Sequence, residues 1–197
     1  YQTAEIIGEQ CNQLLQTIID VFMPRQEALI EIAKIESFQA CIVMFYDNAY
    51  EEKEYVIDRK QFSFLASINS FFGYDIYCSV DDDSAFYDGS LCSATLMLYP
   101  DEHSPQEDAL LRVDLPKMWG LSELLTEFEA QWKKLNLQDK YPSHYVKVYI
   151  ENHQEIMPAI DFDENNVQFL NQLSASVYVD YKYCKPQETP DTANQDE

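Results

Sequence analysis

The sequence predicts an α+β fold made of two copies of one small unit. Residues 57–75 align without a gap on residues 162–180, and the constant offset of about 105 is far longer than the period of a solenoid repeat. Just upstream, residues 42–48 match residues 146–152 after a slip of one residue. Within each copy, apolar residues recur first with the period of a helix and then in strand-like runs. These patterns predict helices packed against strands in both halves of the chain.

Helical periodicity opens the first unit. Apolar residues recur along 7–22 at the spacing of one helical face, Pro24 interrupts the pattern, and helix-forming residues resume over 27–33. The near-continuous apolar run 40–46 is rich in β-branched and aromatic residues, which predicts a buried strand. A polar turn over 48–52 should then lead into a partner strand, so we expect a β-hairpin.

The partner strand covers residues 54–57, and Asp58 follows it directly. A helix needs a side chain at this point to accept hydrogen bonds from its first unpaired amides, so we predict that Asp58 is an N-cap. Apolar spacing predicts the helix itself over 62–68. Residues 71–80 have the composition of a strand, in which Gly73 suits a β-bulge.

A longer series of elements follows in the second unit. We predict a strand over 91–99, a short strand over 110–115, a helix over 121–135 with one apolar face, and strands over 145–150 and 156–162. The unit then closes like the first, with an aspartate cap, a helix and a strand at Asp163, 167–173 and 177–183.

The order β–α–β–β–α–β in the second unit is typical of ferredoxin-like domains. We therefore predict tandem ferredoxin-like (split βαβ) units with antiparallel sheets, the first unit lacking its opening strand. Either that strand lies upstream of Tyr1, or the two units share a sheet. The predicted divisions are a first α+β unit, an acidic linker, a second α+β unit and a disordered acidic tail, at 1–80, 81–90, 91–184 and 185–197.

The two helix–strand segments that end at Asp75-Ile76-Tyr77 and Asp180-Tyr181-Lys182-Tyr183 resemble the units of the bacterial domain-of-unknown-function family 4279. The resemblance covers about residues 10–78 closely and 91–183 more loosely. In the second segment Lys182 replaces the tyrosine that follows the aspartate by two positions. The resemblance implies a bacterial source and an α+β fold, and it carries no established chemistry.

Net charge is the second strong signal, because 35 acidic residues outnumber 13 basic residues and give −22. A field of that sign repels nucleic acid and anionic membranes and attracts basic partners, although acidity alone can also serve solubility. No apolar run reaches the roughly 20 residues that cross a bilayer, and residues 1–5 lack the character of a signal peptide. Five cysteines without a C-x-x-C pair favour a reducing, cytoplasmic setting.

No catalytic or metal-binding signature occurs in the sequence. The four glycines are isolated, so there is no phosphate-binding loop, and the G-x-S-x-G nucleophile motif is absent. His103, His144 and His153 are scattered and lack further ligands at metal-binding spacing, so we expect them to be surface histidines. We predict that the chain is not an enzyme and uses no cofactor or metal.

Two groups of carboxylates have competing interpretations. Asp81-Asp82-Asp83 with Asp88-Gly89 lacks the alternating spacing and closing glutamate of a calcium loop, which favours a solvated linker. Asp75 and Asp180 occupy equivalent positions and could form a carboxylate pair in the groove between the units. The alternative functional hypothesis is therefore a small-molecule-binding or enzymatic domain with its site in that groove.

The acidic loops support the leading hypothesis, a non-enzymatic protein that occupies a basic surface of a protein partner. Loops on a rigid scaffold are common recognition sites. A bacterial immunity protein that neutralises a nuclease-type toxin fits best, with a nucleic-acid-mimicking inhibitor as a close relative, and neither binds nucleic acid or membranes directly. The predicted partner-binding residues are Glu51, Glu52, Glu54, Asp81, Asp82, Asp83, Asp101, Glu102 and Glu155.

Overall fold

The computed structural model of the chain describes residues 4–35, 39–47, 53–77, 88–135, 141, 143–154, 158 and 160–184. Its helices are α1 (Ala4–Phe22), α2 (Gln26–Ala33), α3 (Arg59–Ser67), α4 (Leu121–Leu135) and α5 (Glu164–Gln172). Its strands are β1 (Ala40–Asp47), β2 (Lys53–Ile57), β3 (Ser70–Tyr77), β4 (Cys92–Tyr99), β5 (Leu111–Leu115), β6 (His144–Asn152), β7 (Ile160–Phe162) and β8 (Ala175–Tyr183). Each predicted helix and strand is present where its residues are described, with ends shifted by a few residues, and residues 78–80, 156–157 and 159 of the predicted strands lie outside the described residues. Within this described part, no helix is long and apolar enough to span a membrane.

The described strands form two mixed sheets. The smaller sheet has the order β1-β3-β7, with β1 parallel and β7 antiparallel to β3. The larger sheet has the order β2-β8-β6-β4-β5, in which β6 and β8 are parallel and all other neighbours are antiparallel. Helix α3 lies between β1 and β3 in the chain, and α5 lies between β6 and β8. Each parallel pair is therefore joined by a crossover that contains a helix, as parallel pairing requires.

Strands β2 and β7 are exchanged between the two halves of the chain. β2 pairs with β8 of the second half, and β7 pairs with β3 of the first half. The predicted hairpin between β1 and β2 is therefore wrong, and β6 and β7 likewise belong to different sheets. The physical reason is that β1 pairs in parallel with β3, and β6 pairs in parallel with β8. The strand that lies between each pair in the chain, β2 or β7, therefore joins the other sheet.

The pairing registers follow the sequence repeat. Ile57 pairs with Val177 and Phe162 pairs with Phe72, so the same offset of 105 relates both partners of the two exchanged ladders. In the parallel ladders, Ala40 pairs with Ser70 whereas His144 pairs with Ala175, which reproduces the slip of one residue seen in the sequence. The two copies of the repeat thus make equivalent strand pairings, each with one strand donated by the other copy.

The fold is α+β, as predicted, but it is not a pair of separate ferredoxin-like units with antiparallel sheets. Both sheets contain a parallel pair, β5 adds an edge strand, and the units share strands. The predicted bulge at Gly73 is also wrong, because Gly73 pairs in register with Val43 on one side and Asp161 on the other. The domain divisions stay a prediction, and residues 81–87 and 185–197 lie outside the described residues.

The main apolar core of the described residues lies between the two sheets, and a second, smaller cluster lies on the outer side of the five-stranded sheet. Helices α3, α4 and α5 each contact strands of both sheets. At the centre, the Phe162 ring lies 5.6 Å from Phe62 and 5.9 Å from Phe72, so side chains of both halves meet there. Trp132 of α4 is fully buried, as its position on the apolar face predicts, whereas Trp119 is 58 % exposed. Because both halves contribute to the same core, neither buries its apolar face alone.

Both predicted N-caps are confirmed. The Asp58 carboxylate accepts hydrogen bonds from the amides of Lys60 at 2.7 Å and Gln61 at 2.9 Å, while the Gln61 side chain accepts from the Asp58 amide at 2.9 Å, which completes a capping box. The Asp163 carboxylate accepts from the Asn166 amide at 2.8 Å. Buried Gln61 also donates to the Asn12 side chain at 2.7 Å, so this cap fastens α1 to α3.

Replacing either cap with alanine should lower the free energy of unfolding by about 1 kcal/mol, because the amides of the first turn lose their acceptor. We expect the larger loss for Asp58→Ala, since Gln61 then loses half of its reciprocal pair. Urea denaturation monitored by circular dichroism measures both changes. Asp58→Asn and Asp163→Asn are the matched controls, because asparagine keeps the accepting oxygen and should be nearly neutral. Equal losses for the alanine and asparagine variants would contradict the capping role.

Candidate functional site

The outer side of the five-stranded sheet presents a cluster of tyrosines. Tyr99 on β4, Tyr145 and Tyr149 on β6, and Tyr178 on β8 all project from this side, with Lys147 among them. We call these five residues the tyrosine face. The opposite side of the same sheet packs into the core, since Val146, Val148 and Ile150 alternate with the tyrosines along β6 and are buried. The period of two in a strand therefore separates the two sides completely.

Packing holds the tyrosine face in a fixed arrangement. The Lys147 ammonium lies 5.3 Å from the ring centre of Tyr99 and 5.6 Å from that of Tyr145, which is within the range of cation–π attraction. The Tyr99 hydroxyl donates to the Met97 sulfur at 3.2 Å. Tyr99 is 1 % exposed and Tyr145 is 8 % exposed, so both rings are held by neighbours on the sheet. The arrangement of these side chains is therefore fixed by contacts within the sheet.

Carboxylates border the tyrosine face on the side of β2. The Tyr178 hydroxyl donates a hydrogen bond to the Glu54 carboxylate, which joins β8 to the exchanged strand β2. Asp180 lies directly opposite Glu54 in one ladder and opposite Tyr149 in the other. The strand exchange thus brings an acidic residue from the first half of the chain beside tyrosines from the second.

Burial and nearby negative charge both favour the neutral form of these tyrosines. Burial raises the pKa of Tyr145 to about 12, and the charges of Glu102 and Glu54 add to that effect. Burial also raises the pKa of Tyr178, strengthened by its hydrogen bond to Glu54, and the pKa values of Tyr99 and Tyr149. The four hydroxyl groups therefore remain protonated through the physiological range.

An open groove of about 380 Å³ adjoins the tyrosine face on β4, β5 and β6. Arg112 is held on one side of it, because its Nε donates to both oxygens of Asp114 at 3.0 and 2.9 Å. Thr95 donates to the same carboxylate at 2.7 Å, and the hydrogen bonds from Arg112 and Thr95 lower the pKa of Asp114. Residues that line the groove include Ser93, Thr95, Met97, Arg112, Tyr149 and Glu151.

Two of the predicted partner-binding residues act on the tyrosine face. Glu54 bonds Tyr178, and exposed Glu102 lies close enough to Tyr145 to raise its pKa. Asp101 is also exposed, but its carboxylate accepts from the His103 amide at 2.9 Å and shapes the loop after β4. The remaining predicted residues lie outside the described residues: Glu51, Glu52, Asp81, Asp82, Asp83 and Glu155.

The expectation of three surface histidines is wrong for His144. His103 and His153 are exposed, but His144 is 4 % exposed and its Nδ1 lies 2.7 Å from the Leu173 carbonyl oxygen. Its ring packs edge-on against Trp132 at 5.2 Å. The reason is positional, because His144 opens β6 on the side that faces the core. No group of three or more potential metal ligands occurs among the residues that the structure describes.

The proposed carboxylate pair falls on two different sheets. Asp75 belongs to β3 of the three-stranded sheet, whereas Asp180 belongs to β8 of the five-stranded sheet. Nothing is described of the Asp75 side chain, so a shared site in a groove between the units stays a prediction. The groove described above lies on the face of one sheet instead.

Comparison with known proteins gives no relative. The chain matches no protein-family model, no curated protein and no solved structure. The resemblance to domain-of-unknown-function family 4279 therefore stays a prediction.

The tyrosine face should make the protein sensitive to alkaline pH. The folded state holds the Tyr145 proton up to about pH 12, whereas an unfolded chain releases tyrosine protons near pH 10. The contribution of Tyr145 to the free energy of unfolding should therefore be constant up to about pH 9 and be lost as the pH rises from about 10 to about 12. Urea denaturation over this range, with tyrosinate absorbance recorded in parallel, measures the effect. Tyr145→Phe should show a smaller loss, and an unfolding free energy that stays flat up to about pH 12 would contradict the expectation.

Proposed function

We propose that this protein is a non-enzymatic binding protein that occupies a basic surface of a protein partner, and that it binds through the tyrosine face. The observation that carries the proposal is a rigid, partly exposed cluster of tyrosines bordered by carboxylates on a chain of net charge −22. Tyrosine is enriched in protein interfaces because it supplies apolar area, a hydroxyl group and few rotatable bonds. The surrounding negative field attracts a basic partner and speeds its approach.

The cations of this surface support a basic rather than an acidic partner. Arg112 is already paired with Asp114, and Lys147 lies between two aromatic rings. Glu151, in contrast, is exposed and lies on the same side of β6 as Tyr149. We infer that an arginine or lysine of the partner enters the groove, where its cation would stack on Tyr149 and pair with Glu151.

The best-fitting class is a bacterial immunity protein that neutralises a nuclease-type toxin, with a nucleic-acid-mimicking inhibitor as its close relative. Nuclease surfaces are basic because they bind phosphate groups, so a carboxylate-rich surface complements them.

Binding can be tested with a panel of catalytically inactivated bacterial nuclease domains, with lysozyme as a basic protein of unrelated function. Binding isotherms and association rates are measured at about 0.05 M and about 0.5 M NaCl. We expect at least one nuclease domain to bind far more tightly than lysozyme, with an association rate that falls steeply as salt rises. Binding no tighter than to lysozyme, or a rate independent of salt, would contradict the proposal.

Variants separate specific contacts from bulk charge. Tyr149→Ala should weaken binding by about 2 kcal/mol, because a central aromatic contact is lost. Glu151→Gln should weaken binding by up to about 1 kcal/mol at low salt and by less at high salt. Glu127→Gln removes the same charge from an exposed position on α4 and is the matched control, which should leave affinity nearly unchanged. Equal effects of the two glutamine variants would show that net charge alone drives binding.

A further inference from the structure

One side of the groove on β4 and β6 places an aromatic ring, a carboxylate and two hydroxyl groups together. Tyr149 and Glu151 lie two residues apart on β6 and line the groove. Thr95 lies directly opposite Tyr149 in the ladder with β4, and Ser93 lies directly opposite Glu151. Side chains opposite each other in a ladder stand about 5 Å apart, and those two residues apart on a strand about 7 Å. We call these four residues the groove wall, and one bound side chain can reach all of them.

The charges across the groove leave Glu151 available for a cation. The Arg112 guanidinium is already paired with Asp114, because its Nη2 donates to Oδ1 at 2.9 Å in addition to the two bonds from Nε. Within the described residues, the Glu151 carboxylate accepts no hydrogen bond and forms no ion pair. A ligand anion would therefore meet a neutralised arginine and an unpaired carboxylate, whereas a cation would meet an open partner.

The neighbouring strand β8 adds further negative charge. Burial raises the pKa of Tyr149, and the charge of Asp180, which lies opposite Tyr149 in the ladder with β8, adds to that effect. Lys182 lies opposite Glu151 in the same ladder and offsets one of these two carboxylates. With Arg112 and Asp114 cancelling each other, the surroundings of the groove wall keep a net negative charge.

The groove wall suits a guanidinium group better than an ammonium group. A guanidinium is planar, so its face can stack on the Tyr149 ring while its edge donates two parallel hydrogen bonds to the Glu151 carboxylate. Its remaining N–H groups lie in the same plane, where the hydroxyl oxygens of Ser93 and Thr95 can accept from them. An ammonium is a compact charge that holds its water strongly, so it loses more hydration and gains fewer hydrogen bonds on the same wall.

Two cations of the chain itself, both on the outer side of this sheet, illustrate the difference. The Arg112 guanidinium pairs with the Asp114 carboxylate through two of its nitrogen atoms. The Lys147 ammonium has no carboxylate partner within the described residues and instead lies over the rings of Tyr99 and Tyr145, at 5.3 and 5.6 Å. The groove wall supplies a carboxylate beside a single ring, which matches the surroundings of the arginine more closely than those of the lysine.

We propose that the groove is an arginine-selective site, which binds the guanidinium group of an arginine of the partner between Tyr149 and Glu151. This site rests on the proposed function, in which either arginine or lysine enters the groove, and it selects arginine. The chain would then discriminate among basic proteins of equal net charge by the residue that they present to the groove.

Small probes test the site without a protein partner. N-acetyl-arginine amide and N-acetyl-lysine amide carry the same charge, and N-acetyl-citrulline amide has nearly the shape of the arginine probe without its charge. Titration of the isotopically labelled full chain at about 0.05 M NaCl, followed through its amide chemical shifts, gives a dissociation constant for each probe. We expect the arginine probe to bind at least about fivefold more tightly than either of the others, with the largest shifts at residues 93–95 and 149–151.

Four results would overturn the proposed site. They are equal binding of the arginine and lysine probes, binding of the citrulline probe as tight as that of the arginine probe, no binding of the arginine probe, and shifts confined to other parts of the chain.

Separate measurements distinguish failure of this site from failure of the proposed function. A nuclease domain that binds the chain with the expected salt dependence, together with equal binding of the arginine and lysine probes, would overturn the arginine site and leave the proposed function standing. Arginine-selective binding of the probes, together with no nuclease domain bound more tightly than lysozyme, would overturn the proposed function and leave the arginine site standing.

Substitutions in the groove wall assign the two contacts. Tyr149→Leu should reduce the preference for the arginine probe over the lysine probe to about onefold, because the stacking surface is lost, whereas Tyr149→Phe keeps the ring and should keep the preference. Glu151→Gln should raise the dissociation constant of the arginine probe by at least about threefold, and Glu127→Gln on α4 is its matched control. Circular dichroism verifies the fold of each variant. A preference unchanged by Tyr149→Leu, or equal effects of the two glutamine variants, would overturn the proposed site.

Discussion

The exchange of β2 and β7 is the constraint on which the rest of the structure depends. β8 is covered on one side by a strand of the first half, and β3 by a strand of the second half. The same exchange places Phe162 against Phe62 and Phe72 at the centre of the core, and carries Glu54 to Tyr178 on the outer surface. Separating the halves would expose both strand edges and the shared core at once. Folding and formation of the candidate site are therefore parts of one cooperative process.

Local features of the fold could be predicted from sequence, but strand neighbours could not. Asp58 and Asp163 were identifiable as caps because a cap depends on a few adjacent residues. The period of apolar residues likewise shows which side of a strand is buried. The period of apolar residues does not show which strand lies beside a given strand. Strands adjacent in the chain were therefore expected to form a hairpin, whereas the fold pairs them through parallel crossovers and strand exchange. His144 was misassigned for a related reason, since a residue at a strand end gives no alternation from which to infer its direction.

The candidate site was predictable in part. The alternation of Tyr145 and Tyr149 with valines was visible in the sequence, but whether their side would be covered depended on where the helices pack. Glu54 and Glu102 were predicted to contact a partner because of their charge. The exchange of β2 brings Glu54 near Tyr145, the same tyrosine whose pKa Glu102 also raises. Cation–π packing of Lys147 depends on two different strands and has no local sequence signal.

The two copies of the repeat differ in the side chains that they carry at equivalent strand positions. The position of Tyr178 in the larger sheet corresponds to Gly73 in the smaller one, where the Phe71 ring fills the space above the missing side chain. Along the parallel partner strand, Tyr145 and Lys147 correspond to Cys41 and Val43. The tyrosine face is therefore a property of one copy, built on a scaffold that both copies share.

The distance along the chain between exchanged partners also affects how the protein is made. β2 ends at Ile57, and its partner β8 begins only at Ala175. While a ribosome is still synthesising the intervening residues, β2 lacks its partner β8, and β3 lacks its neighbour β7. The first half must therefore emerge with apolar residues and strand edges exposed, a state in which chains are prone to aggregate or to require chaperones. The acidity of the chain would serve it here as well, because mutual repulsion keeps unfinished chains apart.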